Sequence, residues 1–86
     1  MNVFHASTVT KLDVLSLLAS LPGLSAAEVA DRLSISPEAS GMLLLRLTRA
    51  GLLAREPEHA VFVYTLTPKG HARRTYLAHR TKAHTE

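Results

Sequence analysis

Cysteine is absent from the 86 residues. That absence excludes a disulfide framework and a thiolate zinc site, and it fits a cytoplasmic chain. No apolar run is long enough to cross a membrane. The best candidate, "VLSLLASLPGLSAA", is about a dozen residues where about 20 are needed. Asp13 opens it and a single Lys11 precedes it, so it does not read as a secretion signal either. The histidines (His5, His59, His71, His79 and His84) include no pair four residues apart on a helix and no neighbouring carboxylate cluster. They read as surface residues rather than metal ligands. A Ser/His/Asp arrangement, a glycine elbow and a phosphate-cradling loop are also missing, so neither an enzyme nor a cofactor is expected.

What the sequence does have is apolar material for one core. Hydrophobic residues make up 47%, mostly Leu and Ala, enough for a single domain over 1–86 without staples. The net charge is +3, unevenly placed. Residues 1–45 hold Lys11 and Arg32 against Asp13, Glu28, Asp31 and Glu38, a net −2. Residues 46–86 hold eight Lys or Arg against Glu56, Glu58 and Glu86, a net +5. A basic second half permits a polyanionic partner.

The apolar period reads helical three times. Ser7 or Thr8 caps a first helix over about 8–21, with Val9, Leu12, Leu15, Leu18 and Leu21 in three-residue steps and Val14 and Leu17 widening the face. Pro22-Gly23 ends it. Ser25 and Glu28 have the spacing of a capping box, opening a second helix over about 25–33 with Ala26, Val29, Ala30 and Leu33 inward. Ser36 caps again, and Pro37 takes the first helical position of a third helix over about 37–50 that stops at Gly51. On it Ser40, Leu43, Leu44 and Leu47 share one face, while Glu38, Met42, Leu45 and Arg49 lie opposite with Arg46 alongside. The period then changes. "LLARE" and "VFVYTL" read as strands of a wing over about 52–66, joined by the turn "PEHA". Thr67-Pro68 opens a last helix over about 68–83, anchored by Tyr76, Leu77 and Ala83. The fold class is mainly α with a small β-hairpin (α+β), in the order α-α-α-β-β-α.

That order is a winged helix-turn-helix. "AAEVADRLSISPEASGMLLLRLTRAGLLAR" followed by "VYTLTPKG" resembles the winged-helix regulators of the MarR, ArsR and PadR groups, over about residues 9–78. The resemblance implies a DNA-binding transcriptional regulator acting as a homodimer on double-stranded DNA. Its third helix would face the major groove with Ser36, Glu38, Ala39, Gly41, Met42, Leu45 and Arg46. The wing, Arg55 to Ala60 and so including His59, would touch the backbone or minor groove. Arg46 and Arg49, with a stripe of Lys69, Arg73, Arg74, Arg80 and Lys82 on the last helix, would track phosphates.

The sequence departs from that pattern in two places. The front half of the third helix carries no Arg, Lys, Asn or Gln, the types whose donors match purine edges. It offers Glu38, an acceptor for a cytosine amino group, and Met42 and Leu45, which fit thymine methyls. The wing tip "EPEH" is acidic where phosphates would lie. "ISPEASGMLLLRLTRAGLL" is also similar to the dimerisation domains of plant-type O-methyltransferases, which bind a second copy through apolar helix surfaces. A protein-interaction or dimerisation module using the apolar face of the third helix is therefore the alternative function. In a third reading, Met42 and Leu45 are simply covered by the last helix or by a partner subunit.

Overall fold

The computed structural model describes residues 9–85, with side chains through residue 80. In chain order the elements are α1 (Lys11–Ser20), β1 (Leu24–Ser25), α2 (Ala26–Leu33), α3 (Pro37–Arg49), β2 (Leu53–Glu58), β3 (Val61–Leu66) and α4 (Pro68–Thr85).

α1 starts two or three residues later than its apolar period suggests. Its N-cap is Thr10, in a reciprocal capping box with Asp13: the Thr10 side chain accepts from the Asp13 N–H, and the Asp13 carboxylate accepts from the Thr10 N–H at 2.7 Å. Asp13, three residues into the sequence run, therefore defines the start better than Ser7 or Thr8, which lie outside the described residues. The deepest face of α1 is Val14, Leu15 and Leu18, while Leu21 falls at the C-cap and is exposed.

The expected box at α2 is present. Ser25 Oγ accepts from the Glu28 N–H and the Glu28 carboxylate accepts from the Ser25 N–H. Two backbone donors that helix geometry would leave open are thereby closed. Ser34 takes a left-handed conformation at the α2 C-cap, φ 57°, and lets the chain double back into α3. The core gathers Val14, Leu15, Leu18, Leu24, Val29, Leu44, Leu47, Leu52, Leu53 and Tyr64 from every element except α4, against which Leu77 packs from outside.

The sheet has one strand more than the sequence period reveals. β1 pairs antiparallel with β3, Leu24 opposite Tyr64 and Ser25 opposite Val63, giving the order β1-β3-β2. A two-residue strand has no period to read, and its pairing comes wholly from tertiary packing. β2 also runs two residues further than expected. It pairs with β3 from Leu53↔Leu66 to Glu58↔Val61, leaving only His59 and Ala60 as the turn. Pro57 sits inside β2, which is tolerated because β2 is an edge strand.

Of the expected anchors of α4, Leu77 is half-buried on the core, whereas Tyr76 is 58% exposed among the described residues. Ala83 lies outside the described side chains. The tight contact is instead at Gly70. A Cβ there would run into the carbonyl oxygen of Leu52, so only a glycine lets α4 cross the root of the wing this closely.

Candidate nucleic-acid interface

Three local features set the direction of α3. Ser36 caps it, its hydroxyl accepting from the Ala39 N–H at 3.1 Å, and Pro37 follows. Ser40, fully buried, donates its hydroxyl to the Ala26 carbonyl oxygen at 2.8 Å, tying the first turn of α3 to the first turn of α2. Leu44 and Leu47 then seat the rest of that face in the core. Burying each such leucine is worth roughly 2–3 kcal/mol, far more than any surface contact could offset.

With Ser40, Leu44 and Leu47 turned in, the opposite row must face out. Glu38, Ala39, Met42, Leu45, Arg46 and Arg49 are all exposed, Met42 at 53% and Leu45 at 37%. Among the described residues no other element covers Met42 or Leu45. The row passes from acid (Glu38) through apolar (Met42, Leu45) to base (Arg49) over about 16 Å of helix. Gly41 flanks it. Nothing stands within 4 Å of where its Cβ would be, so internal packing does not require glycine there, although a mid-helix glycine costs about 1 kcal/mol relative to alanine. Ser36, as the cap, has its hydroxyl oxygen already engaged.

At the far end α3, the wing and α4 are knotted by backbone-directed bonds. Gly51, φ 82°, turns the chain. The Thr67 hydroxyl donates to the Gly51 carbonyl at 2.7 Å and accepts from the Gly70 N–H at 3.0 Å. Lys69 Nζ donates to the Ala50 carbonyl at 3.0 Å, at the end of α3. A cation on the last carbonyls complements the negative end of a helix dipole. Lys69, expected to meet phosphate, thus has a partner at the α3 terminus, which the sequence spacing of 19 residues does not reveal.

On the wing, Arg55, Tyr64 and Phe62 project from one face, and the Arg55 guanidinium carbon lies 4.2 Å from the Phe62 ring centroid. This cation–π contact holds the charge partway up the hairpin rather than at its tip. The tip itself is Glu58, His59 and Ala60, all exposed, with His59 at φ 59°. On α4, Arg73 and Arg74 are half-buried, Arg80 is exposed, and the Arg74 Nε is buried without a hydrogen-bond partner among the described residues. The side chain of Lys82 lies outside the described set. The structure therefore brings Glu38, Ala39, Met42, Leu45, Arg46 and Arg49 onto one open face and keeps Lys69 at its end. Arg55 and His59 stand apart on the wing, and Arg73 lies on α4. Among the described residues no group of His, Asp or Glu is arranged to hold a metal ion, and no helix is long and apolar enough to cross a membrane.

Comparison with known proteins places this geometry. Residues 8–60, well over half of the chain, match the profile of the MarR family. Among solved structures, the YusO protein from Bacillus subtilis superposes with a TM-score of 0.82 at 27% identity, covering 87% of this chain and 55% of that one. The PcaV transcriptional regulator from Streptomyces coelicolor, in complex with its natural ligand, gives a TM-score of 0.82 at 25% identity, covering 91% and 57%. Sco5413, a MarR family transcriptional regulator from the same organism, gives 0.78 at 25% identity, covering 85% and 53%. The chain thus spans little more than half the length of the solved structures it matches. A comparison with curated proteins finds no match. With its helix-turn-helix, three-stranded sheet and matched profile, the chain belongs to the MarR family of winged-helix transcription regulators.

Proposed function

We propose that the chain binds double-stranded DNA as a homodimer, each copy presenting α3 to a major groove with mainly phosphate-directed basic contacts. The family is one of transcription regulators, not of enzymes. The observation that carries the reading is the open row on α3. Among the described residues its core-opposed face is exposed along its length and ends in Arg46 and Arg49, with Arg55 on the neighbouring wing. Glu38 and Ala39 enter the groove first, Arg46 and Arg49 meet the flanking phosphates, and Arg73 extends the contact along α4. The acidic wing tip keeps Glu56 and Glu58 off the backbone, so the wing contributes through Arg55, held over Phe62, and through His59.

Dimerisation engages the first and last helices, through Tyr76 and Leu77 on α4 and through Val3 and Phe4, which lie outside the described residues. Sedimentation at micromolar concentration should give a dimer, and a monomer would contradict that part. One observation favours a second reading: Met42 and Leu45 form an exposed apolar pair, as a protein-interaction module would have. Titration of labelled duplexes at two salt concentrations, beside sedimentation of Leu45→Asp, separates the two. Salt-sensitive duplex binding with assembly intact in the variant supports the regulator. No duplex binding, with assembly lost, supports the module, because a charge is not cheaply desolvated in an apolar contact.

A further inference from the structure

The major groove distinguishes bases by hydrogen-bond donors, by acceptors, and by one apolar feature, the C5 methyl of thymine. The open face of α3 is poor in the means to read most of these. From Ser36 to Leu45 it carries no side chain with N–H donors, and the Ser36 hydroxyl oxygen is engaged as the helix cap. The acceptors of guanine, N7 and O6, therefore meet at most the single Ser36 hydroxyl proton at the start of the helix. Glu38 is acceptor-only when ionised, so it is repelled by those same atoms and attracted by the amino groups of adenine N6 and cytosine N4. What remains is apolar. Met42 and Leu45 stand side by side at 53% and 37% exposure, with Ala39 beside them. Gly41 leaves bare backbone next to Leu45, with open space where a Cβ would stand. A smooth apolar surface with a glycine notch admits close approach of a flat base edge. The cations, Arg46 and Arg49, begin only where this surface ends.

We infer that the apolar face of Ala39, Met42 and Leu45 recognises C5 methyl groups in the major groove, making thymine methyls the principal base feature this chain selects. The inference rests on the DNA-binding reading above and gives it a substrate class: A·T-rich duplex presenting thymine methyls to α3 and adenine amino groups to Glu38. Bidentate donor-based reading of guanine plays no part. Phosphate contacts set how tightly any duplex is held, and methyl contacts set which duplex is preferred.

The test uses two probes that differ only in the methyl group: a duplex of alternating adenine and thymine, and the same duplex with uracil replacing thymine. Covering one methyl-sized apolar group is worth about fourfold in affinity, so two together are worth on the order of tenfold. The wild-type chain should bind the thymine duplex roughly tenfold more tightly at equal salt, with the same salt slope on both probes. The double variant Met42→Ala with Leu45→Ala should bind both probes alike. Both positions are exposed, so the variant keeps its core, and circular dichroism checks that it does. Equal wild-type affinity for the two probes overturns the inference while leaving the DNA-binding reading standing. Undiminished preference in the double variant also overturns it, since the methyls would then act through duplex shape rather than through this face. Absence of salt-sensitive binding to either probe overturns both readings together.

Discussion

The Ser40 hydroxyl, on a residue with no solvent access, donates to the Ala26 carbonyl oxygen at 2.8 Å. One polar bond inside an otherwise apolar core fixes how α3 crosses α2, and so where the open face of α3 points. Ser40→Ala should cost about 1 kcal/mol, the net worth of one buried hydrogen bond. The melting temperature should fall by about 4–8 °C per kcal/mol in a domain of this size. Ser40→Leu should cost more, by forcing bulk between the helices. Thermal denaturation of the two variants checks the order, and an unchanged melting temperature in Ser40→Ala would show that the bond orients nothing.

Gly70 is where α4 passes over the wing root. A methyl there meets the Leu52 carbonyl oxygen and lies 3.2 Å from the Leu66 Cδ2. Backbone on one side and packed core on the other leave little room to yield. Gly70→Ala should therefore cost about 3 kcal/mol, at the upper end for overpacking, despite the better helix propensity of alanine. Gly41→Ala is the internal control: with open space at its Cβ, it should stabilise the chain by about 0.5–1 kcal/mol. Urea unfolding of the pair should move the two midpoints in opposite directions.

His59 holds φ 59° at the first of the two wing-turn residues. A two-residue hairpin loop favours glycine there, and a β-branched residue is strained by about 1–2 kcal/mol. His59→Gly should leave stability equal or raise it by about 0.5 kcal/mol, and His59→Val should lower it by about 1 kcal/mol. Amide exchange in β2 and β3 would report the change locally. Equal protection in both variants would mean the turn does not hold the wing.

Much of this molecule is legible in its sequence because its signals are local. Ser25 with Glu28, Ser36 with Pro37, and Gly51 each mark a helix end through chemistry confined to three or four residues, and each stands where its spacing implies. The inward row of Ser40, Leu44 and Leu47 follows from the helical period alone, and with it the outward row of Glu38, Met42, Leu45 and Arg49. What is not legible depends on distant pairings. β1 exists only because Leu24 and Ser25 lie beside Tyr64 and Val63. The engagement of Lys69 with Ala50, and of Arg55 with Phe62, likewise depends on where folding brings separate elements. Residue type marks Lys69 and Arg55 as cations but not these contacts, because an unpaired cation and a partnered one look the same in a sequence. Hydrophobicity marks Tyr76 as an anchor, but α4 turns it outward.

The salt dependence of duplex binding, compared between the wild-type chain and Arg49→Ala, tests the central claim most directly. Arg49 is exposed at the end of the open row, where a phosphate contact removes one condensed counterion. The logarithm of the association constant should fall linearly with the logarithm of salt concentration. In Arg49→Ala the slope should be shallower by about one, with binding to all sequences weakened by similar factors. Binding that ignores salt, or a slope unchanged by the loss of Arg49, would contradict an α3 face docked on DNA through its basic end.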